Sequence, residues 1–400
     1  MASRRLLPGA DARQGLVALA LNSSSSLVAG AVLGSLTDTF ERLPGLLILV
    51  PAAIGLRGNV FGSLGNRVST SIHAGELQLR VRRSTILGQN VLAAGALTLG
   101  MSVVLVAIAA LISVGLGLGH TIGLADLTLV SVGGGTLASL PVLAATLGLA
   151  AGAVRYGWDL DNVIAPLVST LGDVLTLPAL WLATGLLGFG LVTSGLGWLL
   201  AVVGLVALVL GARAELVSLR RIVRTSIPVL VVAGLVSSLA GVALERRLDA
   251  FSALPALLIL VPAHLSSAGA LGGILSGRLS SKLLLGLAPP TGVPSRAARE
   301  DLVFVATLSL PVFLANGAGA HLVAQALDIA SPGFWQLVAA SVLGGAAAML
   351  VVLVIAYYGT IAAVRSDVDP DTYGIPLVSS TVDLAGALTL IVAIAVLGLA

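Results

Sequence analysis

The chain of 400 residues is 57% hydrophobic and only 10% charged, with a mean hydropathy of +1.08, whereas a soluble domain is about 25% charged. It has too little polar surface to dissolve in water, which excludes a soluble enzyme or binding domain and points to a polytopic membrane protein. The absence of cysteine excludes disulfides and thiolate metal sites, the four scattered histidines make no metal-ligand spacing, and a net charge of +3 is too small to argue for a nucleic-acid partner.

A helix needs about 20 apolar residues to cross a hydrocarbon core of about 30 Å. In chain order such runs lie near 15–36, 43–65, 86–114, 126–154, 162–190, 194–212, 222–244, 254–276, 301–327, 335–363 and 373–399. These are eleven predicted spans of an all-α protein. The first run has small residues near Ala29–Gly34, as a signal peptide does, but the repeat below needs it as a helix. The second and eighth contain Pro51 and Pro262 and read as kinked helices, because neighbours in a membrane can satisfy a freed carbonyl. The 48 glycines suit close packing of such helices.

Basic residues orient the chain, since cytoplasmic loops hold the excess of Lys and Arg. With the N-terminus inside, seventeen of the 21 basic residues fall in inner segments, only Arg42, Arg246 and Arg247 fall outside, and Arg57 sits within a span. The expectation is a multi-pass protein of the plasma membrane, embedded in the lipid bilayer, with a cytoplasmic N-terminus and an external C-terminus.

Arg42–Ala52 reads RLPGLLILVPA and Ala253–Ala263 reads ALPALLILVPA, identical at nine of eleven positions with an offset of 211. The same offset pairs Gly58 and Gly62 with Gly269 and Gly273, and Arg67–Thr70 with Arg278–Ser281. An offset of 210 aligns Asp161-x4-Pro166-LVST-x2-Asp173 with Asp371-x4-Pro376-LVSS-x2-Asp383. The chain thus divides into a short cytoplasmic N-terminus (1–14), a first five-helix repeat (15–192), a connector span (193–213) and a second five-helix repeat (214–400). Five spans finish on the side opposite their start, and the connector brings the chain back. Both repeats then point the same way, related by a pseudo-twofold along the membrane normal. The fused pair imitates a homodimer, so a pseudo-dimeric monomer with a solute path at the repeat interface is expected.

Two acidic residues fall well within predicted spans, and they are repeat-matched: Asp173 and Asp383. Each lies twelve residues after a mouth aspartate, about 18 Å along a helix and so near the bilayer midplane. A charge there costs on the order of 2.5–3.5 kcal/mol on insertion scales, and intramembrane acids mark ion pathways. Ser169 and Thr170, and likewise Ser379 and Ser380, stand four and three residues before the acids on the same helical face. Their hydroxyls could reach an ion's water shell or bond back to the preceding turn. Every available ligand is oxygen, which favours a hard cation such as Mg²⁺ or Ca²⁺. Asp159 and Asp161, with Asp367, Asp369 and Asp371, read either as an attractive cytoplasmic mouth for cations or as solvated loop charge. Gly58-x3-Gly62 and Gly269-x3-Gly273 read as helix-packing motifs, as does the serine run Ser23–Ser26. Arg57 and Asn59 have Ala268 and Ala270 as their counterparts, so the two-fold is imperfect.

LVPAAIGLRGNVFGSLGNRVSTSIHAG (49–75) and the D-N-x3-P-x2-S-T-x-x-D stretch ending at Asp173 resemble the MgtE-type integral membrane domain, above all its two-copy form in solute-carrier magnesium transporters. The resemblance runs over nearly the whole chain, once per half. It implies transport of Mg²⁺ or a related divalent cation, no enzymatic activity and no cofactor beyond the transported ion. Asp173 and Asp383 would form the pore site, and Asn59 would match a family asparagine near it, although Ala270 breaks that pattern in the second half. Bacterial members carry cytosolic regulatory modules before the membrane part. About fourteen residues precede the first span here, so Mg²⁺ sensing by such a module is not expected. Some two-copy relatives exchange Mg²⁺ for Na⁺, which leaves a channel and an exchanger coupled to Na⁺ or H⁺ both open. Two rivals stand beside this reading: a proton- or Na⁺-coupled carrier of another solute, and an intramembrane Mg²⁺-dependent prenyltransferase. The second lacks basic diphosphate partners beyond Arg155 and Arg365 and gives no reason for midplane acids.

Overall fold

The computed structural model describes residues 8–73, 81–117, 122–156, 164–284, 286–365 and 375–399, and every regular element among them is helical. The elements are α1 (Pro8–Gly34), α2 (Thr37–Arg42), α3 (Leu46–His73), α4 (Ile86–Gly115), and α5 (Leu124–Thr128), which passes through a π-helical turn (Leu129–Gly134) into α6 (Gly135–Tyr156). They continue with α7 (Ile164–Thr184), α8 (Leu191–Ala212), α9 (Val217–Glu245), α10 (Leu248–Ala253), α11 (Ala256–Leu284), α12 (Arg296–Ala326), α13 (Phe334–Arg365) and α14 (Ile375–Val396). Nine helical stretches among the described residues are long and apolar enough to cross a membrane, and two shorter apolar helices, Leu19–Gly34 and Thr170–Thr184, accompany them. The protein is thus an all-α polytopic membrane protein.

Local chemistry explains several boundaries. Thr85 precedes α4 and its hydroxyl accepts from the Gly88 amide at 3.1 Å; Ser295 precedes α12 and accepts from Ala298 at 3.4 Å. Both satisfy a first-turn amide that the helix itself leaves unpaired. Pro51 and Pro262 lie inside α3 and α11, which remain helical on both sides of the ring.

The chain forms two compact units that do not follow chain order. The smaller comprises Met1–Ser35, Asp249–Val368 and Ala385–Ala400; the larger comprises Leu36–Leu248 and Asp369–Leu384. In the smaller unit α11 is central and packs against α1, α12 and α13. In the larger, α3 takes that place and packs against α9, α4 and α7. The first helix of each half is therefore exchanged, with α1 seated on α11 and α9 seated on α3.

Positions 211 apart make the same contact in both exchanges. Gly30 of α1 lies against the backbone of Ile259, and Gly241 of α9 against that of Ile48, so closely that a Cβ on either glycine would strike the isoleucine carbonyl. Hydrogen bonds repeat as well: Ser131 Oγ donates to Ser102 O at 3.0 Å and Ser341 Oγ to Phe313 O at 2.7 Å. Gly241→Ala is expected to destabilise the protein by about 1–3 kcal/mol, the usual cost of overpacking, and Gly241→Leu by more. Thermal unfolding of the detergent-purified variants would measure this. An unchanged midpoint for Gly241→Leu would refute the close α3–α9 seat.

The predicted glycine packing motifs fare differently. A Cβ at Gly62, Gly269 or Gly273 would meet nothing within 4 Å. These glycines face open space and not a neighbouring helix, so close helix approach is supplied instead by Gly30, Gly241, Gly134 and Gly197.

Candidate cation site

The larger unit holds both of the repeat-matched aspartates. Asp173 lies on α7, buried at 9% exposure, and Asp383 lies on the first part of α14, half-buried. α7 is set against α3 through Gly172, where a Cβ would stand 3.6 Å from Arg57 Cβ and 3.8 Å from the Gly58 amide nitrogen. Asp383 also faces α3: the Cβ position of Gly55 is 3.9 Å from Asp383 Oδ2 and 3.7 Å from Ser237 Oγ of α9.

The hydroxyls flanking the acids divide. Ser380 is buried and donates back to Pro376 O at 2.6 Å, and Thr381 donates to Leu377 O at 2.7 Å. Each proton is thereby committed to the preceding turn, which leaves the oxygen lone pairs as acceptors for water held by a cation. Thr170 and Ser379 are half-buried on their helices. The side chain of Ser169 lies outside the described residues, as do Asp159, Asp161, Asp367, Asp369 and Asp371. Asn59 is half-buried and lines two small hollows of the larger unit, one with Ser63, Arg67 and Ser226 and the other with Gly55 and Ser237.

Among the described residues no three His, Asp or Glu side chains gather to hold a metal. Two carboxylates with hydroxyl and amide oxygens cannot replace a full hydration shell. They suit a cation that keeps most of its water, as Mg²⁺ does.

Sequence reasoning passed over Ser63, Ser226 and Ser237. The signal for Ser63 was present, because Gly55, Asn59, Ser63 and Arg67 recur every four residues and so share one face of α3. The burial of Arg57 was also not anticipated. Its side chain is 1% exposed, Nη1 donates to Ala53 O, and Nε and Nη2 have no hydrogen-bond partner among the described residues.

A family model described as a divalent cation transporter, MgtE, matches residues 50–183 and 261–393, one region in each half. Among curated proteins, the chain is similar to solute carrier family 41 member 2 of Xenopus laevis, 32% identical over 188 residues, which cover 44% of this chain and 32% of that protein. It is likewise similar to the Homo sapiens member 2, 30% identical over 189 residues (44% and 32%), and to solute carrier family 41 member 3 of Rattus norvegicus, 30% identical over 171 residues (41% and 36%). These matches span about a third of the relatives' own length. No solved structure matches the chain.

Proposed function

Because the chain belongs to the MgtE family of divalent cation transporters, we propose that it carries Mg²⁺ across a membrane through a site made by Asp173 and Asp383. The observation that supports this reading is the placement of the acids: they are matched by the repeat, they belong to one unit, and both stand along α3, Asp173 next to Gly172 on Arg57 and Asp383 beside Gly55. Two carboxylates at the depth of the hydrocarbon core repel each other and lack water, and a divalent cation relieves both penalties at once. Asn59, Thr170, Ser379 and Ser380 supply neutral oxygens for the ion's hydration shell, with Ser169 beside them in sequence. Asp159, Asp161, Asp369 and Asp371 draw cations to the inner mouth. Membership in a family of transporters assigns no enzymatic step.

The test is Mg²⁺ flux into sealed liposomes holding the purified protein, followed with an enclosed Mg²⁺-sensitive dye. Cobalt hexammine, which mimics hydrated Mg²⁺ and cannot shed its ligands, is expected to inhibit. Flux of Zn²⁺ in strong preference to Mg²⁺, without competition by the mimic, would remove the hydrated-ion site.

The charge bias further supports insertion with the N-terminus cytoplasmic and the C-terminus outside. The cysteine-free chain makes this simple to check with single cysteines placed near each end and an impermeant thiol reagent. Labelling of both ends from the same face would overturn an odd number of spans.

A further inference from the structure

Arginine gathers at one end of three packed helices of the larger unit. Arg82 and Arg83 stand before the Thr85 cap of α4, Arg213 follows α8, and Arg220, Arg221 and Arg224 fall in the opening turns of α9. Two contacts bring these segments together. The position of a Cβ on Gly211, near the end of α8, lies 3.2 Å from both Ala96 of α4 and Val223 of α9, and the Leu219 amide of α9 donates to Gln89 Oε1 of α4 at 3.3 Å. The α8–α9 turn is thus seated beside the start of α4. All six arginines except the half-buried Arg220 are exposed.

The protein does not neutralise them. The α8–α9 turn carries one acid, Glu215, and among the described residues none of the six arginines is in an ion pair. Arg224 Nε donates to Ala212 O at 2.7 Å, which fixes the guanidinium over the end of α8 but gives it no counter-charge. α4 and α9 both begin at this end, so the positive ends of their dipoles add to the field. In the smaller unit the bases are partnered: Arg278 and Lys282 share the Asp301 carboxylate at 2.9 and 2.6 Å, Arg296 meets Glu300 at 3.5 Å, and Arg365 Nε donates to Pro290 O at 3.1 Å. A shift of 211 turns Arg82, Arg83, Arg220 and Arg221 into Val293, Pro294, Gly9 and Ala10, so the cluster belongs to the larger unit alone. A basic excess on one side orients a chain wherever along it the bases fall; grouping them unpaired on one three-helix end does not follow from orientation.

The arginines continue into a surface for hydrocarbon. α8 is the least buried of the nine candidate spans, with 22% of its apolar stretch buried against at least 33% in the others. Val202, Val206, Val209 and Leu210 are exposed along it and recur at helical spacing, so they share one face that leads to Arg213. Clusters of four to eight bases at a membrane boundary attract anionic lipid, and an unpaired basic end joined to an exposed apolar face suits a molecule with both parts. We propose that the α8–α9 turn of the larger unit binds an anionic phospholipid of the adjoining leaflet, with Arg213, Arg221 and Arg224 on the headgroup, Arg82 and Arg83 adding to the field, and the acyl chains along α8. The lipid supplies the counter-charge that the protein lacks there. The proposal uses neither Asp173 nor Asp383, so it and the cation-site reading stand or fall separately.

The intact protein in detergent, mixed with equal amounts of phosphatidylglycerol and phosphatidylcholine bearing the same acyl chains, tests it by native mass spectrometry. The wild type is expected to retain phosphatidylglycerol at least fivefold over phosphatidylcholine. Arg213→Gln/Arg221→Gln/Arg224→Gln is expected to bring that ratio below twofold, whereas lysine at the same three positions keeps at least half of it. Removing three exposed bases of the smaller unit, Arg296→Gln/Arg299→Gln/Arg365→Gln, is expected to leave the ratio within twofold of the wild type. A wild-type ratio near one would overturn the site. So would equal losses in the two glutamine variants, which would show only the general pull of a basic face, or a loss with lysine as large as with glutamine. Glycerophosphoglycerol, the same headgroup without acyl chains, and inorganic phosphate, each in hundredfold excess, are expected to leave the lipid in place. Displacement by either would make this a site for free anions and overturn the lipid.

Discussion

The double variant Asp173→Asn/Asp383→Asn is expected to lose no more Mg²⁺ affinity than the more damaging of its two single variants. Each replacement keeps the shape of the side chain but removes one of the two charges that hold the cation. A single loss should weaken binding about tenfold or more, which corresponds to about 1.4 kcal/mol, and should erase the preference for divalent over monovalent ions. Once one charge is gone the shared site no longer exists, so the second change has little left to remove. Residues acting through one partner commonly show interaction energies of about 0.5–3 kcal/mol, and this pair should fall in that range. Protons compete with the cation for the same carboxylates, so acidification should slow transport in the wild type and much less in the double variant. Isothermal titration and liposome flux on the two single variants and the pair decide it. Strictly additive losses would mean two independent sites, and near-normal flux in the double variant would end the proposal.

Much of this architecture was legible in the chain itself. The offset of 211 anticipates the paired seats of Gly30 on Ile259 and Gly241 on Ile48, and the offset of 210 the matched hydrogen bonds of Ser131 and Ser341. What periodicity could not show is which partner each helix chooses. Gly30 and Gly241 offer matched seats, and only packing assigns α1 to α11 and α9 to α3. The glycine spacing at 58–62 and 269–273 fits a packing motif equally well whether a neighbour faces it or open space does, and Gly62, Gly269 and Gly273 have open space. Asp173 and Asp383 could be singled out because an intramembrane acid is rare and costly. Ser63 could have been found from its four-residue spacing with Gly55, Asn59 and Arg67, but Ser226 and Ser237 could not, because a hydroxyl in a membrane helix satisfies itself on the preceding turn at little cost and so carries no signal of its own.

The second large effect is expected where the two halves fill one matched space with different atoms. In the larger unit the guanidinium of Arg57 occupies it, so that a Cβ on Gly135 would collide with Nη2 and stand 3.1 Å from Ser102 Oγ. In the smaller unit the mates are Ala268 and Phe313, and the Phe313 ring, with His264 5.0 Å away, lies where a Cβ on Gly345 would fall. Each half thus uses one large group, drawn from a different helix. Ser102→Phe alone should force the ring against Arg57 and cost about 1–3 kcal/mol. Arg57→Ala alone should cost less than the roughly 2–5 kcal/mol of a large-to-alanine change in a core, because it also removes a buried cation whose Nε and Nη2 have no hydrogen-bond partner among the described residues. Together the two changes rebuild the arrangement of the smaller unit and should restore much of the loss, an interaction of about 0.5–3 kcal/mol. Arg57→Met separates volume from charge: it fills the space without desolvating a cation, and replacing such buried charge by apolar atoms is often neutral or stabilising by about 1–4 kcal/mol. Denaturation midpoints of the four variants in detergent test the set. Additive losses in Arg57→Ala/Ser102→Phe would show that the two groups do not share one space. A folded Arg57→Met protein that no longer passes Mg²⁺ would move Arg57 from the packing of α3 to the transport pathway itself.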